Sequence, residues 1–270
     1  MELLIQVLLI LLACGIVAGF LAGLFGIGGG VVMVPVMFIL LNDLGYGEYA
    51  MAMAVATSAA VILPTTLAGA IRINRGEQIS ILPAIILGAG GVLGSIVGST
   101  ISVIIPKEIH VIAFSSFLIF LAFWMVIKQS RYLVRYHFRE STFIFTLLGI
   151  LTGIGAGLFG IGGGVILTPV LTSLLGIHIH RSIRISLTAM VFIATATVIS
   201  YIILGTSTPS LFPYSIGYVN VLFALILVFT SIPGVNLGLK TGQKVSEKNL
   251  LFLFISMLII LAVRMVFSIH

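Results

Sequence analysis

Charged side chains are scarce in this sequence. Only 7% of its 270 residues are Asp, Glu, Lys or Arg, whereas a soluble domain has roughly 25%. Hydrophobic residues make up 60% of the chain, and the mean hydropathy is +1.32. A chain of this length cannot bury so much apolar surface in a core of its own. The composition therefore excludes a soluble globular protein and predicts an integral membrane protein.

Cysteine is almost missing, and so are the patterns of catalytic and metal-binding residues. Cys14 is the single cysteine, which excludes an intrachain disulfide and predicts a small buried residue. The five histidines do not cluster with carboxylates, which argues against a metal or cofactor site and against an intramembrane enzyme. The sequence G-x-x-x-x-G-K-[ST] of an ATP-driven pump does not occur.

Ten apolar segments, most of them long enough to span a bilayer, account for nearly the whole chain. They are 3–25, 30–41, 50–71, 79–105, 109–127, 142–158, 164–176, 184–204, 216–239 and 249–268. The first has no basic start and is too long for a signal peptide, so we expect a retained helix. Segments 30–41 and 164–176 would cover only about 18–20 Å as helices. We expect these two to be half-helices or re-entrant pieces.

Basic residues mark alternate connections between the segments. The loops that contain Arg72, Arg131, Arg181 and Lys244 are basic, and the connections between them are poor in positive charge. Lysine and arginine collect on the cytoplasmic side of a membrane, so this alternation predicts ten crossings of the cell membrane with both termini outside. Eight crossings would break the alternation. The net charge of +6 therefore indicates membrane topology and no nucleic-acid partner.

A ten-residue sequence, AGLFGIGGGV, occurs twice, at 22–31 and at 156–165. The similarity continues to LAFWMV at 121–126 and LAVRMV at 261–266, now 140 residues apart. A six-residue insertion explains the changed spacing, and the Ser/Thr/Pro loop 205–215 is a candidate for it. The chain is thus predicted to contain two transmembrane repeats. Their bounds are 1–128 and 141–270, and a basic cytoplasmic linker, 129–140, joins them.

Five crossings in each repeat would place the second repeat upside down relative to the first. Two such repeats are related by a pseudo-two-fold axis in the membrane plane, an arrangement that recurs in transporters, where substrate binds at broken helices near the midplane. A duplicated scaffold with parallel halves is the alternative. The charge alternation favours an all-α membrane protein with two inverted repeats of about five segments each and short discontinuous helices after the GIGGG motifs.

The GIGGG motif combines a flexible turn with the start of a helix. Such a turn leaves several N–H groups without helical partners, and together with the helix dipole these groups bind anions. Helices starting near Gly30 and Gly164 could therefore converge on a shared anion cavity without a buried lysine. The candidate substrate-binding residues are the glycines of both motifs and four nearby hydroxyls. They are Gly26, Gly28, Gly29, Gly30, Thr57, Ser58, Gly160, Gly162, Gly163, Gly164, Ser186 and Thr188.

Structural roles compete with ligand binding at several of these positions. The triplets 28–30 and 162–164 fit a tight turn as well as ligand contact. Hydroxyls in membrane helices commonly bond back to their own helix. Upstream glycines recur every four residues, as in close helix packing. They are Gly15, Gly19, Gly23, Gly149, Gly153 and Gly157. Asn236 is a further candidate for substrate contact or helix capping, and Arg264 is expected to extend its charge outward.

The two copies of the motif, each followed by a proline, resemble the sulfite exporter TauE/SafE family. The copies are AGLFGIGGGVVMVP at 22–35 and AGLFGIGGGVILTP at 156–169, and ATS at 56–58 is similar to the family's first-half pattern. The second half has Ser186 and Thr188 in place of a Thr-Ser pair. The resemblance covers essentially the whole chain. It implies a small membrane permease for sulfur-containing anions such as sulfite, organosulfonates, sulfoacetate or thiosulfate.

The resulting hypothesis is a secondary transporter of small anions that works by alternating access of two inverted halves. A passive anion channel and a non-transport membrane assembly subunit are the alternatives. No acidic residue lies deep in any segment, which weakens a carboxylate proton relay. The coupling ion, proton or sodium, and assembly into an oligomer are left open.

Overall fold

The computed structural model describes residues 2–25, 28–73, 81–130, 141–173, 175–177, 179–208, 213–242 and 247–268. It is 85% helical, which confirms the all-α fold class. In the described residues the helices are α1 (Glu2–Phe25), α2 (Gly30–Asp43), α3 (Ala50–Ile73), α4 (Leu82–Ile104), α5 (Lys107–Ser130), α6 (Thr142–Phe159), α7 (Gly164–Ser173), α8 (Ile179–Gly205), α9 (Val221–Gly242) and α10 (Glu247–Phe267). Strands β1 (Ser215–Ile216) and β2 (Val219–Asn220) form an antiparallel hairpin between α8 and α9.

Seven helices in the described part of the chain are long and apolar enough to cross a membrane: α1, α3, α4, α5, α6, α8 and α9. The protein is thus a multi-pass membrane protein. Helices α2 and α7 have 14 and 10 residues, as expected for the two short segments. The predicted ten crossings would also need α2, α7 and α10.

Glycines allow two helix pairs to pack backbone against backbone. Helix α1 packs on α9, where a Cβ placed on Gly19 would collide with the carbonyl oxygen of Ser231. Helix α6 packs on α4, where a Cβ on Gly153 would collide with the carbonyl oxygen of Gly91. Gly149 and Gly157 also meet backbone atoms of α4, and Gly15 meets the Thr230 side chain of α9, so the predicted packing role is confirmed at these five glycines. The first helix of each half thus contacts the fourth helix of the other half.

Several connections that are poor in basic residues meet at one end of the molecule. The Lys107 ammonium, at the start of α5, lies 3.5 Å from the side-chain oxygen of Asn42 in α2. Asn42 also donates a hydrogen bond to the carbonyl of Ser268, just after α10. The rings of Tyr49 and Tyr218 lie 6.2 Å apart and join the connection before α3 to the hairpin. These contacts agree with the prediction that these connections share one side of the membrane.

The interior is formed mainly by α2 and the first half of α3. Every residue from 50 to 59 is buried, and so is most of α2. Cys14 on α1 is buried against this core, as predicted. The outer helices expose large apolar side chains such as Leu9, Phe123 and Phe229, as a surface facing lipid requires.

Candidate substrate site

The first glycine-rich break lies between α1 and α2. Gly28 and Gly29 have φ values of 85° and 73°, a region that other residues adopt only at a cost. The amides of Val32 and Met33 both bond to the carbonyl of Gly29 and close the first turn of α2. The amides of the residues just before them have no partner within the helix, since a helix leaves its first N–H groups unpaired.

The second break, between α6 and α7, has the same construction. Gly160, Gly162 and Gly163 have φ values of 64°, 67° and 78°. The amide of Leu167 bonds to the carbonyl of Gly163 at 2.8 Å. The predicted helix starts at Gly30 and Gly164 are confirmed. The tight-turn interpretation therefore accounts for the backbone at both breaks, and ligand contact there stays a prediction.

The two breaks lie against each other, although 134 positions separate them in sequence. A Cβ placed on Gly30 would collide with the carbonyl oxygen of Gly160 and lie 3.0 Å from Cα of Ile161. A Cβ on Gly28 would lie 3.9 Å from the carbonyl oxygen of Ile161. The first turn of α2 is therefore in direct contact with the backbone of the second break.

An apolar pair, Ile62 of α3 and Met190 of α8, contacts both breaks. A Cβ on Gly28 would lie 3.2 Å from Cε of Met190, and one on Gly162 would lie 3.0 Å from the same atom. Ile62 approaches a Cβ on Gly30 at 2.9 Å and one on Gly162 at 2.8 Å. Both side chains are almost fully buried and pack with Ala194. One small apolar contact thus connects the two halves at the breaks.

Of the predicted hydroxyls, Ser58 contacts the second break. Its hydroxyl donates a 2.9 Å hydrogen bond to the carbonyl of Gly160, in the other half of the chain. Hydroxyls in helices commonly bond back to a carbonyl of their own helix, but the Ser58 hydroxyl bonds to the second break instead. Because its hydrogen points to Gly160, Ser58 is placed to hold the break and can still accept a hydrogen bond.

Thr57 connects α3 to the hairpin. Its hydroxyl oxygen accepts a 3.0 Å hydrogen bond from the backbone amide of Asn220, the last residue of β2. The Asn220 side chain in turn accepts a bond from the amide of Phe223 in the first turn of α9 and donates to the carbonyl of Pro213. Asn220 is completely buried. The hairpin is therefore attached to the first half of α3, next to the residue that holds the second break.

We expect Thr57→Val to lower the free energy of unfolding by about 1–3 kcal/mol, because the buried amide of Asn220 loses its acceptor. Thr66→Val is the matched control. The Thr66 hydroxyl is also buried on α3 but bonds to Ile62 of its own helix, so we expect a loss below about 1 kcal/mol. Denaturant unfolding in detergent measures both variants, and equal losses would contradict the proposed role of Thr57.

The other predicted site residues lie in different surroundings. Ser186 is buried on α8 and accepts a 3.2 Å hydrogen bond from Thr168 in the first turns of α7. Thr188 lies half-buried two residues further along α8. Gly26 falls outside the described residues. Asn236 is exposed on the outer surface of α9, away from the buried breaks, and Arg264 is exposed near the end of α10.

Sequence reasoning missed two side chains that contact the end of α6. His110 lies 2.7 Å from the carbonyl oxygen of Leu158 through Nε2. The Tyr201 hydroxyl lies 2.7 Å from the carbonyl oxygen of Gly157. Both side chains are buried. A signal for them exists in the sequence, since each is a polar side chain in a predicted membrane segment, but their partners are distant in sequence.

Comparison with known proteins agrees with a transport function for this arrangement. The model of the family Sulfite exporter TauE/SafE matches residues 11–265. A probable membrane transporter protein of Methanocaldococcus jannaschii is 30% identical over 255 residues, 92% of this chain and 91% of its own length. One from Haemophilus influenzae is 31% identical over 265 residues, 96% of this chain and 97% of its own length. YunE of Bacillus subtilis, also named a probable membrane transporter protein, is 24% identical over 277 residues, 96% of this chain and 97% of its own length. No solved structure matches the chain.

Proposed function

Because the chain belongs to the sulfite exporter TauE/SafE family, we propose that this membrane transporter is a secondary transporter of small sulfur-containing anions. Sulfite, an organosulfonate, sulfoacetate and thiosulfate are the candidate substrates. The relatives are named as transporters, which supports a function other than catalysis.

One observation carries the proposal: a glycine-rich break from each half opens a helix, and the two breaks touch. A small oxyanion needs several donors, and the unpaired N–H groups of a helix start provide them without a formal charge in the membrane. The glycines of both motifs and the hydroxyls of Thr57, Ser58, Ser186 and Thr188 remain the proposed binding residues, and of these hydroxyls Ser58 contacts a break directly. Thr57 still has its hydroxyl hydrogen to donate, since its oxygen accepts from Asn220.

Alternating access is the proposed mechanism, with the two halves as inverted repeats. The reciprocal packing of α1 on α9 and of α6 on α4 is compatible with a two-fold relation between the halves, since such an axis exchanges these pairs, and the charge alternation favours the inverted form. Each half therefore supports the broken helix of the other half. A rocking motion of one half against the other would change the contacts between the breaks.

Two contacts along α3 are the proposed gates of the site. The hairpin bonds to Thr57 through Asn220. Ile62, about 7.5 Å further along the helix axis, contacts Met190 at the breaks. In the proposed mechanism, the hairpin and the Ile62–Met190 contact open in turn during transport.

The test is uptake by liposomes that contain the purified protein. We expect saturable uptake of at least one member of a panel of sulfite, thiosulfate, sulfate, sulfoacetate and taurine. Gly29→Leu and Gly163→Leu should abolish the uptake, because each places a side chain at a positive φ. Imposed proton and sodium gradients identify the coupling ion.

Three outcomes would contradict the proposal. Normal uptake by both glycine variants would exclude the breaks as the site. Rates far above about 10³ per second without saturation would indicate a passive channel, since typical turnover numbers are lower. Failure of the purified protein to move any anion of the panel would favour an assembly subunit.

A further inference from the structure

The second break brings two opposite helix ends close together. Helix α6 ends at Phe159 and α7 begins at Gly164. The start of a helix carries a partial positive charge of about half a unit, and the end of a helix carries the corresponding negative charge. An anion at the start of α7 would therefore be repelled by the carbonyls at the end of α6, unless these carbonyls were occupied by donors.

Donors from three other helices occupy these carbonyls. The Tyr201 hydroxyl of α8 lies 2.7 Å from the carbonyl oxygen of Gly157. The Nε2 atom of His110 in α5 lies 2.7 Å from that of Leu158. The Ser58 hydroxyl of α3 lies 2.9 Å from that of Gly160. The carbonyl of Ala156 accepts from the amide of Gly160 itself. The last carbonyls of a helix have no partner within it, so these bonds come from tertiary structure alone.

The chemistry of the partners settles the direction of each bond. A carbonyl can only accept, so the Tyr201 hydroxyl gives its hydrogen to Gly157 and His110 carries a hydrogen on Nε2. The Ser102 hydroxyl lies 2.6 Å from that of Tyr201 and donates its hydrogen to it, because the Tyr201 hydrogen is already given to Gly157. All three side chains are buried, where hydrogen bonds and partial charges are weakly screened by water.

The corresponding positions of the other repeat cannot form the same contacts. Helix α3 corresponds to α8 and contains no tyrosine, and α10 corresponds to α5 and contains no histidine. Repeat symmetry therefore does not explain why a histidine and a tyrosine stand at positions 110 and 201. Their position at the end of α6 is specific to the second half.

We propose that Tyr201 and His110 are specificity-determining positioning residues. By occupying the carbonyl end of α6, together with Ser58, they make the second break electropositive and hence selective for anions. This inference rests on the proposed transport function, because it assumes that the anion binds at the breaks. It assigns the two buried polar side chains a role beyond helix packing.

The experiment compares the transport kinetics of Tyr201 and His110 variants in liposomes. Two radiolabelled probes are used: thiosulfate, which is a divalent anion, and taurine, which has no net charge. We expect Tyr201→Phe and His110→Leu to raise the KM for thiosulfate about tenfold, as for the loss of one buried bond. The maximal rate should change less than about twofold, and the KM for taurine should rise less than that for thiosulfate. His110→Gln, which keeps an N–H donor, should restore most of the affinity.

Two controls separate this role from general destabilisation. Thr197→Val removes a buried hydroxyl from α8 that donates to the carbonyl of Ile193 in its own helix. Ser102→Ala leaves the bond between Tyr201 and Gly157 intact. Both should change the KM less than about twofold. Melting temperature without substrate, and stabilisation by thiosulfate in detergent, check folding and binding independently of transport.

The outcomes distinguish the two proposals. If the unaltered protein transports the probes and the Tyr201 and His110 variants keep its KM, the inference is wrong and the proposed function stands. The same holds if KM rises equally for both probes, or if the controls raise it as much as the tyrosine and histidine variants do. If the unaltered protein neither transports any panel anion nor is stabilised by one, the proposed function fails and the inference with it.

Discussion

Gly160→Ala is expected to reduce anion uptake more than tenfold and to lower stability. Its φ of 64° is unfavourable for alanine, and the new Cβ would lie 2.8 Å from the carbonyl oxygen and 2.9 Å from Cα of Val55. Both neighbours are backbone atoms of a buried helix and cannot rotate away. Strain and overpacking each cost about 1–3 kcal/mol. The shift needed to relieve them would separate the second break from α3 and from the first turn of α2.

Gly45→Ala is the matched control for this variant. Gly45 also has a positive φ, 89°, but a Cβ there would meet nothing within 4 Å. We therefore expect only the strain, about 1–2 kcal/mol, and nearly normal uptake. Initial rates in liposomes and melting temperatures in detergent measure both variants. If both lost uptake equally, the backbone strain would explain the effect and the contact between the breaks would have no demonstrated role.

Gly153→Ala should lower the free energy of unfolding by about 2–4 kcal/mol. The added methyl group would collide with the backbone of Gly91, because α4 and α6 approach each other through glycines on both helices. Overpacking of this kind forces the helices apart, and the van der Waals packing that small residues allow contributes to helix association in a membrane. Since α6 leads into the second break, uptake should fall as well.

Gly155→Ala provides the comparison on the same helix. A Cβ on Gly155 would lie 3.1 Å from Cδ1 of Ile166, the end of a flexible side chain that can move. Alanine also favours the helix over glycine by about 1 kcal/mol, so we expect stability to change by less than about 1 kcal/mol in either direction. Unfolding in detergent measures both variants, and a larger loss for Gly155→Ala than for Gly153→Ala would contradict the packing assigned to α4 and α6.

The helix starts at Gly30 and Gly164 could be predicted because their causes are local. Consecutive glycines permit positive φ values and interrupt a helix, whatever the rest of the chain does. The packing glycines were predictable for a similar reason, since a spacing of four residues puts them on one face of a helix. Gly19 and Gly153 contact other helices through that face, as expected.

The partners of the polar side chains could not be predicted in the same way. Ser58 was expected to support an anion site or to bond within its own helix, and in the structure it holds the carbonyl of Gly160. His110 was considered only as one of five histidines that do not cluster with carboxylates, and Asn220 was not singled out. Each bond joins residues far apart in sequence, so no local pattern contains its geometry.

Composition, charge alternation and the repeated motif by themselves determined a multi-pass helical membrane protein with two glycine-rich breaks. They did so because solvation by lipid and glycine's backbone freedom act on each segment separately. That the breaks touch and that the hairpin attaches to Thr57 follows from the tertiary structure. It alone also decided that donors from three helices cover the end of α6, because helix packing selects which distant polar groups meet.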